Sequence, residues 1–444
     1  MPAWTGWAAA PPGVVPPLGS HALLVFLLQV GLLLALALLL GRLAARFGLP
    51  AVVGELCAGV LAGPSLLGWA APGPAGWLLP RDAGQMHLLD AAATLGVLLL
   101  VALTAIEIDL GLLRRNRATA LRVSAAGLLV PLSLGAAAGY VLPAALLPGE
   151  GAAERTVPAL FLGVAMGVSA LPVIAKTLMD MNLVHRDIGQ LILTAGVLDD
   201  IAGWFLLSLV SALAVGGFTA AGAAVSLLSL AGVAAAALLA RPLVRAVLGA
   251  AGRSTPAVTL AAVVALTFLS AAATQALELE AILGAFVCGL LIKASGNVDP
   301  ARLAPLRAIV LAVLAPLFFA TAGLRMDLTA LARPDVLALA PLILLIAIAG
   351  KFMGAYLGAT LSRLDRWEAL ALAGGMNARG VIEVIVAMAG LRLGVITPAM
   401  YTIIVLVAIV TSLMAPPVLR RAVPRIELKR EEELRLMSDT RILG

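Results

Sequence analysis

Charge is what this chain lacks. Only 12% of its 444 residues are Asp, Glu, Lys or Arg, and 62% are hydrophobic. Soluble domains carry about 25% charged residues, so the composition excludes one and implies an integral membrane protein. Cysteine is scarce too. Cys57 and Cys288 are the two present, both inside apolar runs, which excludes a disulfide framework or a zinc site. The three histidines, His21, His87 and His185, lie near segment ends without the spacing of metal ligands. No cofactor is called for. The formal charge of +6 comes from arginines at segment ends, so it is not the mark of a nucleic-acid partner. Residues 1–20 have no charged side chain and none of the order of a signal peptide, and are expected to lie at the outer surface.

What is present is a series of apolar runs long enough to cross a bilayer as helices. Thirteen are expected, at about 21–41, 50–69, 86–110, 118–145, 156–178, 188–215, 221–248, 256–276, 278–295, 303–325, 334–362, 367–392 and 397–420. An all-α fold follows, with residues 21–420 in the membrane and 421–444 as a basic tail. If alternate loops face the cytoplasm, one side collects 23 of the 30 basic residues, from Arg42 and Arg46 through Arg186, Arg307 and Arg363 to the tail. The other side holds Arg81, Arg155, Arg325, Arg333 and Arg392. This asymmetry predicts a multi-pass protein of the cell membrane with its N-terminus outside and C-terminus in the cytoplasm. Trp4, Trp7, Trp69 and Trp77 all fall on the outer side, as an interfacial aromatic belt does.

The exceptions to apolarity carry the chemistry. Asp199 and Asp200 sit side by side near the centre of the sixth run. A carboxylate there costs about 2.5–3.5 kcal/mol even on mild insertion scales, so intramembrane acids are functional by default. Neighbours on a helix point about 100° apart, so one can face a water-filled pocket while the other meets a neighbouring helix. Lys351 lies midway along the eleventh run, too deep to snorkel, and is the natural partner for Asp199. A cation captured by the aspartates would tend to discharge that lysine, so the site holds protons or a metal ion in alternation.

Two runs contain breaks. Ser169 precedes Pro172 in the fifth, where the proline removes a donor and frees carbonyls. In the twelfth, Gly374, Gly375, Asn377 and Gly380 are expected to weaken the helix before Val381. Corresponding breaks in two halves point to inverted repeats around a site at mid-depth. Arg379 and Glu383, four apart, are expected to pair along one helix face. Glu55, Glu107 and Asp109 are weaker candidates. Glu278 and Glu280 near the outer surface are placed to draw cations inward.

Together, Gly163 to Pro172, Val197 to Asp200, Gly350-Lys351 and Met376 to Glu383 resemble the monovalent cation/proton antiporter superfamily. The likeness is strongest to its second branch of bacterial sodium/proton antiporters, potassium-efflux proteins and plant cation/proton exchangers. Pro50 to Gly68 is similar to that branch's second helix. The resemblance implies a core domain, here about 118–215 and 334–420, moving against a dimerisation domain in a homodimer. It places the crossing of two broken helices at Ser169–Pro172 and Asn377–Gly380. It makes Asp200 the cation-binding carboxylate and Asp199 the one bridged to Lys351, with Ser169 and freed carbonyls completing the ion's shell. Retention of both aspartates and the lysine implies electrogenic exchange of Na+ or Li+ for two protons. The Asn377-x-Arg379-Gly380-x-x-Glu383 stretch looks more like the potassium-efflux and plant proteins, which keeps electroneutral K+/H+ exchange as the alternative.

A channel is disfavoured because no charged ring or filter-like repeat occurs. An aspartyl protease needs two aspartates from different segments sharing a proton, whereas these adjoin on one helix.

Overall fold

The computed structural model describes residues 18–79, 83–108, 117–149, 151–216, 220–428 and 432. Residues 1–17, with Trp4 and Trp7, lie outside that set, as do Arg81, Asp109, Arg114, Arg115 and most of the tail beyond Leu428. Among the described residues there is no strand. In lipid every backbone N–H and C=O must find its partner within its own segment, which leaves the helix as the default.

In chain order the helices are α1 (Ser20–Arg46), α2 (Ala51–Ala62), the short α3 (Leu67–Ala70) and α4 (Pro72–Leu78), and α5 (Ala83–Glu107). Next come α6 (Arg117–Val141), α7 (Ala152–Gly167), α8 (Leu171–Asp180), α9 (Asp187–Gly216) and α10 (Ala220–Gly252). The last are α11 (Pro256–Ala276), α12 (Ala281–Ser295), α13 (Pro300–Ile309), α14 (Ala315–Leu324), α15 (Pro334–Leu361), α16 (Arg366–Met376), α17 (Val381–Arg392) and α18 (Pro398–Ala422). A π-helical turn, Val310–Leu314, joins α13 to α14.

Among the described residues, eleven spans are long and apolar enough to cross a membrane, or 12 if α16 and α17, bent by 45° at their junction, count as one. The ninth of the 13 expected spans is the exception. It is α12, an apolar helix of 15 residues that follows an extended Glu280 and ends at Gly296 in a left-handed turn.

The helices pack in two groups. One contains α1, α2, α5 and α11 to α14; the other contains α6 to α9 and α15 to α18, and α10 runs between them. Direct packing between the groups is sparse, chiefly α9 on α12 and α14 on α17. Lipid gives little hydrophobic drive to helix pairing, so close backbone approach at small residues holds each group together. In the first group a Cβ on Gly54 would lie 2.1 Å from the Leu40 carbonyl oxygen, and one on Gly59 1.9 Å from that of Ala320. In the second, Gly354 abuts the Ala126 carbonyl as closely, at 2.4 Å.

Both expected breaks are present. Val168, Ser169 and Ala170 leave the helix between α7 and α8, and Ala378, Arg379 and Gly380 do so between α16 and α17. Their causes differ from the expectation in detail. Pro172 is not in the gap but in the first turn of α8, where a missing N–H is harmless. Gly374 and Gly375 do not unwind α16. They remain helical because Val418 and Ile192 press on them, leaving no room for a Cβ at 2.4 and 2.9 Å. The two breaks meet: the Ala170 N–H donates to the Ala378 carbonyl at 3.2 Å.

Candidate functional site

The meeting point is lined by groups that a helix would otherwise have satisfied internally. α7 stops at Gly167, leaving carbonyls free, and α8 begins at Leu171 with free N–H groups. Against this junction α9 presents Asp199 and Asp200, both buried.

The two neighbours live differently. Asp199 has three donors within reach. Ser124 on α6 donates to Oδ1 at 2.6 Å, Ser169 donates to Oδ2 at 2.8 Å, and Lys351 of α15 donates to Oδ2 as its ion-pair partner. Lys351 also donates to the Gly167 carbonyl at 2.5 Å, capping the freed end of α7. Asp200, by contrast, accepts among the described residues one long bond, from the Leu171 N–H at 3.4 Å. The Ser169 hydroxyl, expected to complete an ion's shell at Asp200, is hydrogen-bonded here to Asp199. That hydroxyl also has the Met376 carbonyl in reach at 2.7 Å. One proton and two acceptors mean that Ser169 can satisfy both only if Asp199 donates back to it.

Arg379 and Glu383 pair at 3.1 Å, as their spacing anticipates. Arg379 does more than this. Its guanidinium donates to the carbonyls of Met166 and Ala347 at 2.6 and 2.8 Å, and its own carbonyl accepts from Ser412. Asn377 closes α16, and its side-chain oxygen is buried in the break with no donor. Gly380 lies where a Cβ would meet Val173 of α8 at 2.7 Å, so the crossing itself excludes a side chain there. Ser124 and Ser412 were not among the sequence candidates. A lone serine in an apolar run gives no signal, since it satisfies itself on its own helix.

Two cavities open at opposite ends of the helices, and the larger approaches the site. The larger, about 490 Å³, opens among the helix ends rich in arginine and lysine and is bounded by Pro50, Glu55, Glu107, Lys176 and Arg307. At its floor are Leu171, Pro172 and Val197, one helical turn before Asp200. The smaller, about 330 Å³, opens at the other end among His87, Asp90, Glu280, Arg325 and Arg392. It stops at Phe318, Thr321 and Ile385, and none of the aspartates or their partners borders it. There Glu280 of the first group and Arg392 of α17 are joined at 2.6 Å, and Asp90 and Arg325 at 2.5 Å. Glu280 is thus tied to Arg392 rather than standing free for incoming cations. No group of three or more His, Cys, Asp or Glu suited to a metal ion occurs among the described residues.

Crossed interruptions beside intramembrane acids, with cavities opening at both ends of the helices, define a membrane transporter. Residues 32–423 match the family described as sodium/hydrogen exchanger, transmembrane. The Na(+)/H(+) antiporter NhaS4 of Synechocystis is 31% identical over 416 residues, covering 91% of this chain and 98% of that protein. Cation/H(+) antiporter 17 of Arabidopsis thaliana is 30% identical over 405 residues, covering 90% of this chain but 48% of its own longer sequence. The structure of the sodium proton antiporter MjNhaP1 from Methanocaldococcus jannaschii shares the fold. Its TM-score is 0.69 at 18% identity, with 90% of this chain and 99% of that one covered. The chain belongs to the sodium/hydrogen exchanger family, and its activity is cation/proton antiport.

Proposed function

We propose that the protein exports Na+ or Li+ from the cytoplasm in electrogenic exchange for external protons, by alternating access of Asp200. One observation carries this reading. Of two adjacent buried carboxylates, Asp199 has three protein donors within reach, Lys351 among them, while Asp200 has one long backbone contact among the described residues and lies next to a cavity floor. A carboxylate with lone pairs to spare is the one that can hold a cation, and hard cations take oxygen ligands. The buried Asn377 oxygen, without a donor among the described residues, lies at the other break, which meets the first, and supplies another such ligand.

Lys351 gives the second proton. An arginine cannot be deprotonated in a protein, whereas a lysine can. When a cation settles on Asp200, its charge beside the Asp199–Lys351 pair favours loss of the lysine proton. One cation then leaves as two protons enter. The core group, α6 to α9 with α15 to α18, carries the site between the faces, and the other group stays fixed as the interface of a homodimer. The arginine-rich face is the cytoplasmic one, by the excess of basic residues there. The large cavity then marks a state open to the cytoplasm, and Glu280–Arg392 closes the outside.

The test is transport in proteoliposomes under an imposed pH gradient, with Na+, Li+ or K+ and with or without a membrane potential. Exchange should be driven by the potential and vanish in Asp200→Asn. Unchanged exchange in that variant sinks the reading. The Asn377 to Glu383 stretch favours a second reading, electroneutral K+/H+ exchange, which a K+ flux indifferent to potential would establish instead.

A further inference from the structure

Two carboxylates face the large cavity, Glu55 and Glu107. Glu107 is paired with Arg307 at 3.3 Å. Glu55 is not paired. It stands one turn inside α2, half-buried, with no hydrogen bond or ion pair among the described residues. Its neighbour on α1 is the bare Gly41, where an added Cβ would lie 3.5 Å from Cγ and 3.6 Å from Oε1. A carboxylate on an otherwise apolar wall, with no donor among the described residues, keeps its lone pairs for what enters from water. Ionisable residues so placed mark ion pathways. The two bases on the same cavity do not occupy it: Arg307 is held by Glu107, and Lys176 has an interaction of its own.

Where Glu55 is mounted matters as much as what it is. α2 cannot slide, because Gly54 and Gly59 touch the backbones of α1 and α14, and Gly323 of α14 touches the Leu56 carbonyl in return. Asp200 belongs to the other group. Glu55 therefore shares a cavity with the approach to Asp200 only in the arrangement seen here, and the opposite cavity has no access to it.

We propose that Glu55 is a loading site for the cation. It takes a partly hydrated monovalent cation at the mouth of the large cavity and hands it to Asp200, on this face alone. The step exchanges water oxygens for carboxylate oxygens and back, and forms no covalent bond. A proton needs no such station in a cavity that admits water. The role of Asp200 and the naming of this face as cytoplasmic rest on the function proposed above.

The experiment is the Michaelis constant for Na+ measured separately from each face, in everted and right-side-out vesicles. Glu55→Gln should raise it about fivefold on the large-cavity face, leave the other face unaltered and hold the maximal rate within about twofold. Glu55→Asp, which keeps the charge, should restore most of the affinity. Val52→Lys offers an independent route if Glu55→Gln does not assemble. Val52 borders the cavity one turn away, so a lysine there should neutralise Glu55 and produce the same one-sided rise. An equal rise on both faces, a lower maximal rate at constant affinity, or no change in either variant overturns the proposal. In the last case, continued loss of exchange in Asp200→Asn would leave antiport standing without a loading site. No exchange in the unmodified protein would remove both.

Discussion

The core contains two buried ion pairs with opposite designs. Arg379–Glu383 runs along a single interrupted span, and its arginine is anchored by carbonyls of α7 and α15 as well. Asp199–Lys351 links two different helices, and its carboxylate is shared with two serine hydroxyls. One pair uses the cation that never loses its proton and spends it on fixed backbone; the other uses the cation that can. On the function proposed above, the first is a clamp on the crossing and the second the group that changes charge. A buried pair can be worth little net stability and still be destructive to break, because the abandoned partner stays buried.

That contrast can be broken at several points. Arg379→Ala should do the most damage. It strands Glu383 and two carbonyls and should cost about 3–5 kcal/mol, seen as loss of the folded species in thermal melts in detergent. Arg379→Lys should not rescue it, since an ammonium cannot span carbonyls on two helices in the guanidinium's fork geometry. Lys351→Ala should be milder in melting, because Ser124 and Ser169 remain to solvate Asp199. Its effect should appear in transport, as exchange that no longer responds to membrane potential. If Lys351→Ala melts as badly as Arg379→Ala and transport stays voltage-driven in whatever survives, the division between clamp and switch is wrong.

Ser124→Ala removes one hydrogen bond to a charged group and should cost about 1.5–3 kcal/mol at most, with altered proton dependence of exchange. Smallest in stability is Glu280→Gln. Glu280 is buried but Arg392 is 60% exposed, and glutamine keeps a hydrogen-bonding oxygen for it, so the loss should stay at about 1 kcal/mol. Its signature is conformational instead. With Cys57 and Cys288 replaced by serine, a cysteine introduced at Thr94 in the small cavity should label faster once Glu280 no longer holds Arg392.

How far the sequence could be read depended on what each residue costs in oil. Asp199, Asp200, Lys351 and Arg379 were legible because a charge in an apolar run demands a reason, and the structure brings the first three together. Ser124 was not, since a hydroxyl in a membrane helix is cheap. The partner of Ser169 was equally hidden. Sequence order sets it near both aspartates, and only the turn of the unwound stretch decides between them. Glycine misled in α16 because the same residue serves a break and a close contact, and Val418 and Ile192 belong to distant parts of the chain. The ninth span was counted correctly as an apolar segment but is shorter than a full crossing.

The bond from the Ala170 amide to the Ala378 carbonyl has a consequence for how cargo travels. It stitches the two interruptions into one piece, so neither can unwind further by itself to let a passenger slip out. Under the function proposed above, an ion seated there keeps its hosts and rides with them, and its change of compartment comes from the walls it leaves behind.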